Sequence, residues 1–220
     1  MILWRTVRAV VVGLCAVVFR VRVIGKQHVP ADGASVLAPS HRSILDIPFS
    51  VFVTRRRVQF LAKQELFRSR LGGAIFPRLG GIPVERGTTD RAALRAADAV
   101  LAQGEPLAIF PEGTRQHGPQ LGELYHGVAY LALRRQVPIV PIGIGGSEAI
   151  LPKGRVIPRP RRVVVVVGEP IVPDADATGR RRSEVTALTA RVRDGLQAAF
   201  DEATRRAGAG PLPAEVSEGA

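Results

Sequence analysis

His41 and Asp46 stand five residues apart in Ser40-His-Arg-Ser-Ile-Leu-Asp46, and together they could run proton-transfer chemistry. A carboxylate held against one imidazole nitrogen fixes the tautomer and leaves the other nitrogen free to take a proton. Residues five apart do not share a helix face, so contact between them requires a turn. Pro48 supports one, being tolerated in the first turn of a helix and poorly inside it; His41 is then expected in the loop and Asp46 near the helix start. Read alone, the pair could equally be a loop histidine satisfied by a cap. Two more clusters, Gly80-Gly-Ile-Pro-Val-Glu-Arg-Gly87 and Phe110-Pro-Glu-Gly-Thr-Arg115, each end a short apolar run with an acid, a turn residue and an arginine. Arg86 and Arg115 could grip a phosphate in the bidentate manner that lysine cannot reproduce. The plainer alternative is two solvated ion pairs, Glu85 with Arg86 and Glu112 with Arg115. Val137-Pro-Ile-Val-Pro-Ile142 has no reactive group and can only shape a wall.

These clusters need a scaffold, and the pattern around them supplies one. Arg20 to Gly25, Ser35 to Ala38, Val58 to Ala62, Ile82 to Val84, Leu107 to Phe110, Ile139 to Ile144 and Val163 to Val167 are short, β-branched and bounded by turn residues, as strands are. Helical patterns fall between them, at 48–54, 64–67, 89–103 and 122–135, the third capped by Thr88, Thr89 or Asp90 and stopped by Gly104. Alternation of this kind predicts an α/β fold, a layered sheet of mostly buried strands with helices on both faces. The expected organisation is a helix over 1–19, an α/β domain over 20–172, a linker over 173–183, an amphipathic helix over 184–206 and a frayed tail over 207–220.

The 220 residues include 31 Lys and Arg against 19 Asp and Glu, a net charge of +12, with a single cysteine. One cysteine excludes a disulfide scaffold, and 46% hydrophobic residues exclude a disordered polyelectrolyte. His28, His117 and His126 have no acid or cysteine at ligand spacing, so no metal site is expected. The charge is lopsided: residues 1–100 hold 16 basic and 6 acidic side chains, the remainder 15 and 13. A basic field of this size suits nucleic acid, an anionic membrane or a phosphorylated substrate. The amino-terminal segment helps to choose. Its apolar run from Ala9 to Phe19 is 11 residues, against roughly 20 for a spanning helix, and Arg20-Val-Arg-Val23 follows where a signal peptide would carry a cleavage site. It reads as a retained interfacial helix with Trp4, Arg5 and Arg8 at headgroup level, or else as a core element.

The set of blocks, in order, is more specific than any one of them. His41-x4-Asp46, Gly81 to Arg86, Phe110 to Arg115 and Val137 to Ile142 resemble the four blocks of the glycerolipid acyltransferase family, whose best-known members are lysophosphatidate acyltransferases. Pro83 with Glu85 stands where that family more often has an aromatic or Ile and an Asp, and Ser40 stands where Asn often precedes the histidine. The resemblance spans roughly residues 20–170. It implies an acyltransferase-type fold and transfer of a fatty acyl group from a thioester to the free hydroxyl of a lysophospholipid, most simply 1-acylglycerol 3-phosphate. Other glycerolipid or glycolipid acceptors remain open. In that reading His41 is the general base and Asp46 orients it, with backbone N–H groups near the following helix start as candidates for the oxyanion. Arg86, Glu112, Gly113, Thr114 and Arg115 bind the acceptor, and Lys63 is a further phosphate ligand or a surface side chain. No cofactor is permanently bound, the donor is acyl-CoA or acyl carrier protein, and the enzyme sits on an anionic membrane at its cytoplasmic face, peripheral or monotopic.

Two rivals remain. A serine hydrolase built on Ser40 or Ser43 lacks any Gly-x-Ser-x-Gly elbow. A nucleic-acid-binding protein is suggested by Arg55-Arg-Arg57 and Arg180-Arg-Arg182, but 5% aromatics offer little base stacking.

Overall fold

The structure is a computed structural model that describes residues 2–84, 91–150 and 158–208. Arg86, with Glu85 and the cap candidates Thr88 to Asp90, lies outside the described residues, as does the tail from 209 onward. Seven strands form one sheet: β1 (Arg22–Ile24), β2 (Ser35–Pro39), β3 (Gln59–Lys63), β4 (Gly81–Val84), β5 (Pro106–Ala108), β6 (Ile139–Gly145) and β7 (Val164–Val167). Their order is β1-β7-β6-β2-β5-β3-β4. The five strands from β6 to β4 run parallel, β7 is antiparallel to β6, and β1 is parallel to β7. Every stretch expected to be a strand overlaps one, with ends shifted by at most two residues.

Alternation within the strands explains the layering. Leu37, Val140, Ile142 and Val165 join one core cluster, while Val36, Ala38, Leu107 and Ile139 join the other. The first face is covered by α1 (Ile2–Phe19) and α2 (Asp46–Ser50). The second is covered by α5 (Arg91–Ala102), α6 (Gly127–Arg135) and α7 (Arg182–Ala207). Two short helices, α3 (Glu65–Arg68) and α4 (Arg70–Leu79), connect β3 to β4. The sequence gives no helical signal over α4, because Gly72, Gly73 and Pro77 interrupt the pattern. Pro77 sits near the carboxyl end of the helix, where few turns remain to be disturbed by its missing N–H.

The amino-terminal helix is buried along one side only. Cys15 and Phe19 are buried, Phe19 meeting the Phe49 ring edge-on at 5.7 Å, whereas Val10, Leu14 and Val17 are exposed. One face therefore docks on the domain and the other presents an apolar stripe at the i, i+4, i+7 spacing. Burial pushes the Cys15 thiol pKa up, as expected of a packed, inert cysteine. No helix among the described residues is long and apolar enough to cross a membrane.

α7 lies so close to β6 that glycine is obligatory in the strand. A Cβ at Gly143 would strike the backbone of Ala199, and one at Gly145 the backbone of Ala203. We expect Gly145→Ala to force the helix off the sheet and destabilise the fold by about 1–3 kcal/mol, read as a lowered denaturation midpoint with an unchanged slope in urea.

Candidate active site

The carboxyl ends of the five parallel strands gather nearly every residue singled out above, as expected where a parallel sheet carries its site. β2 leads into His41, β5 into Phe110 to Arg115, and β3 ends on Lys63 itself. Ser40 fastens the first of these loops to the sheet. Its N–H donates to the Ile142 carbonyl and its hydroxyl accepts from Ile144 N–H at 3.0 Å. That hydroxyl is thus structural, which removes it as a nucleophile, and Ser43 Oγ accepts from Leu45 N–H within the loop.

His41 lies in the loop and Asp46 begins α2. Asp46 Oδ2 accepts from three groups: His41 Nδ1 at 3.3 Å, Arg42 N–H at 2.6 Å and Ser43 N–H at 2.6 Å. Because an ionised carboxylate only accepts, Nδ1 carries the proton and Nε2 is the free, basic nitrogen. A 3.3 Å contact is long for such a pair, and catalytic hydrogen bonds in unliganded sites commonly tighten with substrate. The two loop N–H groups bound by Asp46 are not available to an oxyanion. Ile44 N–H follows directly after them in sequence and has no acceptor among the described residues. The Phe110 ring packs on the imidazole, with centroids 4.2 Å apart.

Glu112 occupies a place its sequence neighbours do not suggest. It is 1% exposed, and both oxygens are engaged within the protein. Oε2 accepts from His41 N–H at 2.8 Å; Oε1 accepts from Arg42 Nη1 at 2.8 Å and from Gly122 N–H at 3.0 Å. The Glu112–Arg115 ion pair, the plainer alternative for this cluster, is absent among the described residues, and the partner is Arg42, a residue the spacing argument passes over. Arg42 is itself buried: its guanidinium also donates to the carbonyls of His41 and Gln120 and lies 4.6 Å from the Phe200 ring of α7. A contact seventy residues apart in sequence leaves no local signal, apart from an arginine directly after the histidine.

Gly113, Thr114 and Arg115 are exposed at the edge of this core. Gly113 adopts φ +66, and a Cβ there would lie 2.6 Å from Cε2 of Tyr125, so the aromatic ring covers the turn closely enough to require glycine. Arg115 has no carboxylate partner among the described residues. Lys63 closes β3 opposite Val84 of β4, the strand that leads toward Arg86. The remaining histidines have partners: Nδ1 of His28 meets the Val167 carbonyl, that of His117 meets Glu148 at 3.1 Å, and that of His126 meets Thr189.

An acyltransferase family model matches residues 20–145, more than half of the chain and the span that holds this constellation. The chain belongs to the acyltransferase family. Its relatives include the 1-acyl-sn-glycerol-3-phosphate acyltransferase of Bacillus subtilis, 27% identical over 152 residues, covering 69% of this chain and 73% of that one. The bovine 1-acyl-sn-glycerol-3-phosphate acyltransferase alpha is 31% identical over 187 residues, covering 83% of this chain and 63% of that one. Among solved structures, the 1-acyl-sn-glycerophosphate (LPA) acyltransferase PlsC from Thermotoga maritima matches with a TM-score of 0.67 at 27% identity, covering 81% of this chain and 71% of that one. The acyltransferase fold expected from the four blocks is therefore observed, with a mixed seven-stranded sheet.

Removing one partner of a buried ion pair strands the other charge, a loss of about 3–5 kcal/mol. Arg42→Ala should lower unfolding free energy by that amount in urea denaturation. Arg115→Ala, at an exposed position, should stay within about 0.5 kcal/mol of the parent.

Proposed function

We propose that this acyltransferase moves a fatty acyl group from acyl-CoA or acyl carrier protein to the free hydroxyl of 1-acylglycerol 3-phosphate, giving phosphatidic acid. The observation that carries the reading is the tethered His41, whose Nδ1 is held by Asp46 while Nε2 is left basic at the sheet end, beside the exposed Gly113-Thr114-Arg115 turn. The glycerol hydroxyl attacks the thioester carbonyl as Nε2 takes its proton. The tetrahedral intermediate then expels the thiolate, and the imidazolium returns the proton to sulfur. Proton transfer of this kind is worth about 10²–10⁴-fold. The thioester is already activated, so the reaction needs neither a covalent enzyme intermediate nor a permanently bound cofactor. Ile44 N–H is the proposed oxyanion donor of the loop.

Arg115 and Arg86 take the acceptor phosphate in this scheme, with Thr114 donating a hydrogen bond and Lys63 as a further phosphate ligand. Glu112 is reassigned: with both oxygens engaged by His41 N–H, Arg42 and Gly122, it positions the base rather than touching the acceptor. The substrates are lipids, and the exposed Val10, Leu14 and Val17 stripe of α1 supports peripheral or monotopic attachment to the cytoplasmic leaflet through an interfacial helix.

The test is a mass-spectrometric product assay with several lysophospholipids, glycerol 3-phosphate and acyl-CoA. Phosphatidate from lysophosphatidate supports the proposal; product on another glycerolipid or glycolipid keeps the class and changes the acceptor. His41→Ala should lower kcat by about 10²–10⁴-fold, and Arg115→Ala should raise the acceptor KM more than it lowers kcat. Near-normal turnover by folded His41→Ala would overturn the mechanism.

A further inference from the structure

Four arginines meet at the edge of the site end of the sheet. Arg20 follows α1, and Arg159, Arg161 and Arg162 precede β7. The backbone stitches the two segments together: Val163 N–H donates to the Phe19 carbonyl and Arg22 N–H to the Val163 carbonyl, both at 3.0 Å. Between them opens a cleft of about 520 Å³, which Gly146 and Gly208 also line. All four arginines are exposed, and none of their side chains has an acceptor among the described residues. The neighbouring acids are engaged elsewhere, Glu148 by His117 and Glu202 by Arg205 and Arg206. Arg20 also holds a left-handed backbone, φ +46, uncommon for any residue but glycine. The carboxyl end of α7 offers at most about half a negative charge against these four positive ones.

The cleft adjoins the apolar stripe of α1. Val10, Leu14 and Val17 are exposed along one helix face, and Arg20 is the first residue after that helix. A lipid surface presents the same sequence of chemistries, hydrocarbon and then phosphate; a soluble phosphate would have no use for the stripe. The cleft also shares an end of the sheet with His41, since β7 starts at Val164 opposite Gly145 and β2 ends at Pro39 opposite Ile142.

We infer that Arg20, Arg159, Arg161 and Arg162 form a binding site for the phosphate headgroups of anionic lipids. Together with the α1 stripe, the site sets the rotation of the protein on the bilayer so that the His41 end of the sheet meets the lipid. The inference rests on the membrane-acting reading above, but it is read by binding without turnover, so failure of acyl transfer and failure of this site are separate results.

The experiment is co-sedimentation of the full chain with vesicles of phosphatidylglycerol mixed with phosphatidylcholine, and with phosphatidylcholine alone. The doubly substituted Arg161→Gln, Arg162→Gln chain is compared with a charge-matched Arg180→Gln, Arg182→Gln chain. α7 runs alongside β6, with Gly195 near Pro141 and Ala203 near Gly145, so the second pair lies at the opposite end of the sheet. We expect the first pair to weaken binding to the anionic vesicles roughly tenfold to thirtyfold, with little change on phosphatidylcholine, and the second pair to weaken it by less than about threefold. Equal losses would mean bulk charge attraction and overturn the site, as would undiminished binding of the first pair. A raised KM for the acyl donor with unchanged vesicle binding would assign the cleft to the phosphates of a soluble donor and equally overturn the inference.

Discussion

The buried ion pair between Arg42 and Glu112 ties together the two loops that carry the site. Each partner is buried, each is charged, and neither has another ion-pair partner among the described residues. Burying one alone would cost several kcal/mol, so the loops after β2 and β5 must arrive together or not at all. Their junction fixes more than two side chains. Glu112 accepts the His41 N–H on its second oxygen, Gln116 N–H donates to the His41 carbonyl, and the Phe110 ring lies against the imidazole. The loop after β5 therefore holds the backbone and one ring face of His41, while Asp46 holds its Nδ1.

The same pair reaches beyond the site. Arg42 lies over Phe200 of α7, and α7 is pressed onto β6 at Gly143 and Gly145. Support of the proposed base thus extends from a loop ion pair to α7 and to β6, a strand buried along its whole length. The exposed turn from Gly113 to Arg115 lies just outside this frame, where it remains free to meet a ligand.

The strands were legible because each is a short apolar run between turn residues, and His41 and Asp46 were legible because five residues and a proline specify a local turn. Ser40, which stands where Asn often precedes the histidine, bonds the loop to β6. What escaped were features decided at long range. Arg42 finds its partner seventy residues away, so neither reading of Glu112, acceptor ligand or ion pair with Arg115, named it. Charge runs misled in the same way. Arg56 donates to the carbonyls of Gly33 and Gly104, and Arg57 to that of Pro77, so two of the three arginines in that run bind backbone ahead of β3, at the end of the sheet away from His41. Conversely, Arg20 and the arginines before β7 are far apart in sequence and meet only once β1 pairs with β7. The basic excess of the first hundred residues thus includes Arg56 and Arg57, bound to backbone carbonyls at the far end of the sheet, Arg42, buried at the site end, and Arg20, exposed beyond it.

The central claim is that Glu112 serves the base and not the acceptor. It is tested most directly by steady-state kinetics of a folded Glu112→Gln chain with the acceptor varied. The account predicts a fall in kcat with the acceptor KM nearly unchanged, because the substitution disturbs the His41 loop and no substrate contact. A raised acceptor KM with kcat preserved would contradict it and return Glu112 to the acceptor.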